Sequence, residues 1–518
     1  MKHLIAAFAV LASPAMAQDI PKFGPKFVTE TATAGIDHAF TGEWEYMVGG
    51  GAAIFDCNAD SLPDVYIAGG QDRAALYVNT SQKGGALAFT KTASTADLPS
   101  VSGAYPININ GDSIPDLVIL RVGENVVMRG LGNCQFERAN ELWGFNGGNA
   151  WSTAFAATWE GGNTLPSLAI GNYIDRSQEA FPWGNCTDNW LHRPVGETYA
   201  KPLPLTPSFC ALSMLFTDWN RSGTPSLRVS NDREYYKGGQ EQLWRFEGPD
   251  VAPRLFTADE GFPRLRIWGM GIASADITGD GRPDYYLTSM ADQKFQTLAD
   301  PAAQPLKPKY SDLAWPLGIT AHRPYTGGDL RPSTGWHAQF SDVNNDGLAD
   351  LFVAKGNVWE MPDFAQKDPN NLFLQTAEGK FIEAGDTSGV LSMNAARGGG
   401  LADFNGDGWQ DLLVVNRNGP TEIWRNTGTD AAGNFVNIVL AQPAPNTDAI
   451  GAFIEFKRGD KVETREVTIG GGHVSGVLGP QHFGLGGADG AEVRVIWPDG
   501  AVGDWQTVSA GQTITLQR

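Results

Sequence analysis

The sequence predicts an all-β protein, a propeller of repeated four-stranded blades followed by a small C-terminal β-sandwich-like domain. Three observations predict it. A nine-residue acidic segment recurs at steps of 50 to 66 residues, close to the length of one four-stranded blade with insertions. The intact copies lead into β-branched or aromatic runs of strand length. Glycine (63 residues) and proline (31 residues) are abundant, which favours many turns between short strands over long helices. The chain of 518 residues is also too long for one ordinary core, so a repetitive architecture or several domains is required.

At the start of the chain, Lys2 precedes an apolar run from Leu4 to Leu11 and then Ala15-Met16-Ala17. This is the pattern of a secretory signal peptide, residues 1–17, cleaved after Ala17. The run is too short to cross a bilayer, and no later segment is apolar enough for membrane insertion. With 38 basic and 58 acidic residues the net charge is −20, and loss of Lys2 on export makes it −21. A chain this acidic lacks the Lys and Arg clusters that bind nucleic acid or an anionic membrane surface. An exported chain reaches the periplasm or the medium, where disulfides persist and calcium is abundant. The four cysteines have no C-x-x-C spacing, so two disulfides are expected. Cys186 and Cys210 flank a Pro-rich insertion and are the preferred pair, which leaves Cys57 with Cys134.

The recurring segment has Asp at position 1, Asn or a small polar residue at 3, Asp at 5, often Gly at 6 and Asp at 9. It reads DCNADSLPD at 56–64, NINGDSIPD at 108–116, DITGDGRPD at 276–284, DVNNDGLAD at 342–350 and DFNGDGWQD at 403–411. Worn copies read DWNRSGTPS at 218–226 and TWEGGNTLPS at 158–167. After position 9 come DVYIA, DLVIL, DYYLT, DLFVA and DLLVV, and small residues such as Gly49-Gly50-Gly51 and Gly398-Gly399-Gly400 precede the motif. Small residues suit strands crowded near a central axis. Each unit is therefore read as strand, acidic loop, strand, turn, strand and outer strand. The last unit lacks an outer segment, whereas Phe27 to Thr31 has strand character. The N-terminal strand is expected to complete the final blade and latch the ring, which removes exposed sheet edges.

Residues 18–429 are accordingly assigned to the propeller. From Gly433 the pattern changes to alternating runs such as Val493-Arg494-Val495-Ile496-Trp497 between turns, so 430–518 are read as a second all-β domain. Pro-rich insertions at 176–207 and 292–332 are expected to decorate one face of the ring.

Calcium takes six to eight oxygen ligands. In the nonapeptide, side chains 1, 3 and 5 point to one side of a tight turn, residue 7 offers its carbonyl, and Asp at 9 returns as a bidentate ligand. Gly at 6 permits positive φ. The expected ligands are Asp56, Asn58, Asp60 and Asp64; Asp276, Thr278, Asp280 and Asp284; Asp342, Asn344, Asp346 and Asp350; and Asp403, Asn405, Asp407 and Asp411. Asn108, Asn110, Asp112 and Asp116 form a weaker site. Four or five calcium ions are expected, and five would bring −21 to −11. An EF-hand is excluded because position 12 is Leu287, Val353 or Val414, not Glu, and sits in a predicted strand. The copy at 218–226 retains Asp218 but has Ser222 and Ser226 for the later acids, so that blade folds without an ion.

The histidines carry no H-E-x-x-H, and there is no G-x-S-x-G or glycine-rich phosphate loop. No catalytic residue is assigned. His337 is expected to pack near the channel, and His473 and His482 to serve turns and hydrogen bonds. An enzyme would need a deep pocket at the channel mouth, for which His337, Arg397 and residues near Trp268 are candidates.

The nonapeptides with their strands resemble the FG-GAP/VCBS repeats of integrin-α-like propellers. Asp448-Ala449-Ile450-Gly451-Ala452, Gly470-Gly471-Gly472-His473-Val474-Ser475-Gly476, His482-Phe483-Gly484-Leu485-Gly486 and Trp497-Pro498-Asp499-Gly500 resemble the ASPIC/UnbV domain in order and spacing. Together they resemble the cartilage acidic protein family over nearly all of the chain after residue 17. The resemblance implies a seven-bladed, calcium-binding β-propeller followed by a small β domain, and it implies binding rather than a defined catalytic activity. The function expected is an exported, calcium-stabilised scaffold that recognises an extracellular or envelope protein or glycan as a monomer, with an enzyme at the channel mouth as the alternative.

Overall fold

The computed structural model describes residues 24–178, 184–232, 239–431 and 433–518. The expected signal peptide at 1–17 lies outside them. The all-β expectation holds: among the described residues the helical elements are the four-residue helix Ala314–Leu317 and the 3-10 turn Trp44–Tyr46.

Position 9 of every nonapeptide opens a second strand, at Asp64, Asp116, Ser167, Ser226, Asp284, Asp350 and Asp411. Four-stranded antiparallel meanders result. The first runs Ala52–Phe55, Asp64–Ile67, Ala75–Asn79, Phe89–Thr92, and the sixth runs Gly335–Ser341, Asp350–Lys355, Asn371–Gln375, Phe381–Glu383. The innermost strands begin at Ala52, Val101, Ala150, Ala211, Gly269, Gly335 and Ala396, and each touches the next, the last returning to the first. The ring is closed by a strand exchange. Phe27–Thr29 pairs antiparallel with Glu422–Asn426, with Phe27 opposite Asn426. Glu30 then bridges the seam, accepting from the Arg425 guanidinium at 2.8 Å and from the Leu87 N–H of the first unit at 2.6 Å.

Outer strands arise where insertions were expected. Asn189–His192 and Leu203–Leu205 complete the third unit, and Lys294–Leu298 and Tyr310–Asp312 complete the fifth. The expectation that 176–207 and 292–332 merely decorate a face is thus corrected. Proline misled that reading: Pro204 sits in an outermost strand, where a missing N–H costs no ladder bond.

The C-terminal domain packs a three-stranded sheet (Gln481–Gly486, Asn434–Ala441, Gln512–Gln517) against a four-stranded sheet (Lys461–Glu466, Phe453–Arg458, Gly490–Ile496, Gln506–Ser509). Its core is continuous with the ring. Val436, Ile454, Phe456 and Val493 share one buried cluster with Tyr105, Val118, Phe155 and Leu168 of the second and third units. Disulfides join Cys57 to Cys134 and Cys186 to Cys210, the pairs expected, and are consistent with an exported protein. Among the described residues no helix is long and apolar enough to cross a membrane.

Candidate metal centres and the channel plug

The nonapeptide loops share one geometry. The position-1 carboxylate accepts the N–H groups of positions 5 and 6: Asp276 from Asp280 at 3.0 Å and Gly281 at 2.9 Å, Asp342 from Asp346 at 3.1 Å and Gly347 at 2.7 Å, Asp403 from Asp407 at 3.0 Å and Gly408 at 2.8 Å. The position-5 carboxylate accepts the N–H of position 7, at 2.9 Å for Asp60, Asp112, Asp280 and Asp346 and at 3.0 Å for Asp407. Asn58, Asn110, Asn344 and Asn405 at position 3 bond the position-5 carboxylate at 2.7–3.0 Å. Oxygens of positions 1, 3 and 5 thus crowd one tight turn. That turn needs left-handed backbone at positions 4 and 6, seen at Ala59 and Ser61, Asn345 and Gly347, and Gly406 and Gly408. Only the position-6 requirement was expected from sequence.

Position 9 has a duty that sequence reasoning missed. Asp64 accepts the Cys57 N–H and the Asn79 N–H, both at 2.8 Å; Asp350 accepts Val343 at 3.0 Å and Gln375 at 2.9 Å; Asp411 accepts Phe404 at 3.0 Å and Asn426 at 2.7 Å. Asp116 and Asp284 likewise accept Ile109 at 2.7 Å and Ile277 at 2.9 Å. Each buried carboxylate ties position 2 of its loop, and in four of these loops it also takes an N–H at the third strand of its blade. Among the described residues, no nonapeptide loop brings three carboxylates together with one oxygen each inside 4.8 Å. The one triplet that does meet is Cys57, Asp64 and Cys134, whose sulfurs are bonded to each other.

Burial and mutual repulsion raise the carboxyl groups of these loops. Burial, the largest cause, and neighbouring carboxylates push Asp276 up to about 7, Asp342 to about 8 and Asp403 to about 6. Asp64 and Asp284 rise to about 6 and Asp116 to about 7, again mainly through burial, while Asp350 and Asp411 are raised further. The donor set fits a hard divalent ion: positions 1, 3 and 5 supply side-chain oxygens on one turn. The worn loop at 218–226 keeps the turn without the acids. Asp218 accepts Ser222 at 2.9 Å and Gly223 at 2.7 Å.

The C-terminal domain sits on the face that carries these loops. Thr447 accepts from the Asn108 side chain at 2.7 Å. Arg458 donates to the carbonyls of Gly347 and Gly484. His482 is held between Asn437 at 2.8 Å and Asn345 at 2.6 Å, the hydrogen-bonding role expected of it. Glu466 accepts the Asp218 N–H and the Thr217 hydroxyl, both at 2.7 Å.

From that domain, residues 469–478 run down the axis of the ring. Ile469–Gly470 pairs with the inner strands of the third and fourth units, Gly472 bridges to Ile272, and Gly476–Leu478 runs parallel to Ala52–Phe55. Ser475 receives the Ala52 and Gly399 N–H groups, both at 3.1 Å. His473 is fully buried against Trp336 at 5.0 Å, with its N–H donating to Nδ1 of His337 at 3.2 Å and its own Nδ1 on the Leu212 carbonyl at 3.1 Å. Burial pushes His473 down to about 3 and His337 to about 4. Arg397 is fully buried over Trp336 and donates to the carbonyls of Met47, Ala396, Asn357 and Val358. Trp268 packs beside Phe364. His337 thus packs against the inserted hairpin, while Arg397 and Trp268 are held by residues of the ring.

Residues 342–414 match the FG-GAP-like repeat family, and residues 442–518 match the ASPIC and UnbV family. Cartilage acidic protein 1 of Homo sapiens is 27% identical over 190 residues, 36% of this chain and 26% of that protein. The Mus musculus protein of the same name is 27% identical over 190 residues, 36% of this chain and 27% of that one. The chain thus spans about a quarter of the length of the curated relatives it matches. A crystal structure of BBS1N in complex with ARL6DN aligns with a TM-score of 0.42 at 12% identity, covering 78% of this chain and 96% of that one. The sequence motifs and these matches agree: the chain carries FG-GAP-like repeat sequence and a C-terminal ASPIC and UnbV domain, and it is similar to cartilage acidic protein 1.

Proposed function

We propose that the protein is an exported, calcium-stabilised repeat scaffold whose rigid loop face recognises an extracellular or envelope protein or glycan. The supporting observation is the repeated loop geometry, in which carboxylates at positions 1 and 5 share one tight turn at four places and, with Asn108 at position 1, at a weaker fifth. Calcium would be held by the side chains of positions 1, 3 and 5, while the position-9 carboxylate keeps its bonds to backbone N–H groups and braces the loop. Calcium supplies no reaction step here; it neutralises the turn and holds each loop to its blade. A rigid face lowers the ordering cost of binding.

The reading is tested by thermal melting of the full chain in EDTA and in millimolar calcium. A rise of several degrees with calcium is expected, with saturation at four or five ions per chain by calorimetry. An unchanged melting temperature, with no calcium bound, refutes it.

A further inference from the structure

A groove of about 710 Å³ lies between the third and fourth units, within the size range of small-ligand sites. Its walls include residues of loops 158–167 and 218–226, the two worn copies of the nonapeptide, which lack the acids of positions 5 and 9. At position 2, where the other copies carry Cys57, Ile109, Ile277, Val343 and Phe404, these two carry Trp159 and Trp219. Trp159 is half-buried and is the aromatic side chain open to the groove, with Trp219, Phe246 and Phe256 buried behind the wall. The rim is polar and of mixed sign. Arg245 stacks on Phe256 at 4.4 Å and pairs with Glu260 at 3.5 Å, and Glu260 is held by Arg254 at 2.9 Å. Asp259 and Lys307 are exposed on the same rim.

We propose that this groove binds a neutral oligosaccharide. The inference rests on the recognition reading above and narrows its ligand to a glycan. A pyranose ring presents C–H faces to an aromatic lining and hydroxyls, each both donor and acceptor, to a rim of both signs. Trp159 and Asn220 line the groove, and the indole N–H of the first and the amide oxygen of the second are shielded from water and have no partner. Leaving such a group unpaired costs on the order of 1–3 kcal/mol. A sugar hydroxyl, reached by a small side-chain rotation, complements either one. An anionic ligand meets a chain of net charge −20 and the carboxylates of Glu247, Asp259 and Glu260, so neutral sugars are favoured.

The test uses the full chain in calcium buffer, titrated calorimetrically with cellotriose, chitotriose, maltotriose and mannotriose, beside selection from a displayed linear-peptide library. Binding of at least one trisaccharide with a change in tryptophan fluorescence is expected. Trp159→Phe, which removes only the indole N–H donor and part of the ring, weakens it about threefold to tenfold. Thr224→Trp, which fills the groove, abolishes it and keeps the parent melting temperature, and both variants keep the calcium response. Absence of heat with every trisaccharide overturns the proposal, as does selection of peptides whose binding Thr224→Trp blocks while no sugar binds. Sugar binding untouched by either variant overturns the groove assignment but leaves the recognition scaffold standing, and loss of the calcium response in the parent chain strikes the scaffold reading itself.

Discussion

Asp350 and Asp346 sit four residues apart in one loop and do different work. Asp350 is buried and holds two backbone N–H groups on separate segments, whereas Asp346 lies on the turn proposed to face calcium. Asp350→Ala leaves both N–H groups without their acceptor and is expected to destabilise by about 2–4 kcal/mol in EDTA and in calcium alike. Asp346→Asn keeps the side-chain oxygen and is expected to remove only part of the calcium-dependent rise in melting temperature. Parallel melts of the two variants check this. At the domain boundary, burial raises the Glu466 carboxyl from 4.5 to about 8, with Asp218 raising it and Arg221 lowering it. The folded state therefore holds a proton that the unfolded state releases, so stability falls as pH climbs from about 4.5 to about 8. Glu466→Gln is expected to melt roughly 1–2 °C above the parent at pH 8.5 and level with it at pH 4. The turn positions 1, 3 and 5 were legible in sequence because they act within nine residues. The position-9 tie was not, because Asn79, Gln375 or Asn426 lies on another strand with nothing local to mark it.

Among elements, the hairpin at 469–478 has the largest effect on its surroundings. A Cβ at Gly51 would lie 1.7 Å from the Val474 carbonyl oxygen, and one at Gly103 would lie 2.3 Å from it. The glycines before each motif were legible as a sign of crowding at the axis. What crowds them was not, since the hairpin lies 423 residues from Ala52 and 76 from Gly399, with nothing local to mark it. Gly51→Ala is expected to destabilise by on the order of 3 kcal/mol and to expose His473 to solvent, because two backbones cannot share that space. Gly487→Ala, with nothing within 4 Å of the added carbon, is the neutral control. Guanidinium unfolding and histidine hydrogen exchange read both variants. The outer strands of the third and fifth units were obscured for a simpler reason. Long proline-containing connections hid short edge strands whose pairing depends on the inner strands already being in place.

Across the whole molecule, ring and C-terminal domain form one cooperative body. The shared cluster from Tyr105 to Leu516 crosses the boundary that composition draws near residue 430. The full chain is expected to melt in a single transition. A chain ending at residue 429 is expected to lose at least about 10 °C, or to aggregate through the uncovered Tyr105 and Phe155; calorimetry and light scattering distinguish the two. Composition shows where one pattern stops and another starts, but it does not show that the two parts share a core. The hairpin also limits how such a protein can be rearranged. The C-terminal domain cannot be exchanged like a cassette for an unrelated partner, because the ring's axis is shaped around one particular backbone. Any recombinant that swaps the domain must bring a hairpin of matching register, or it leaves behind a hub without its spindle.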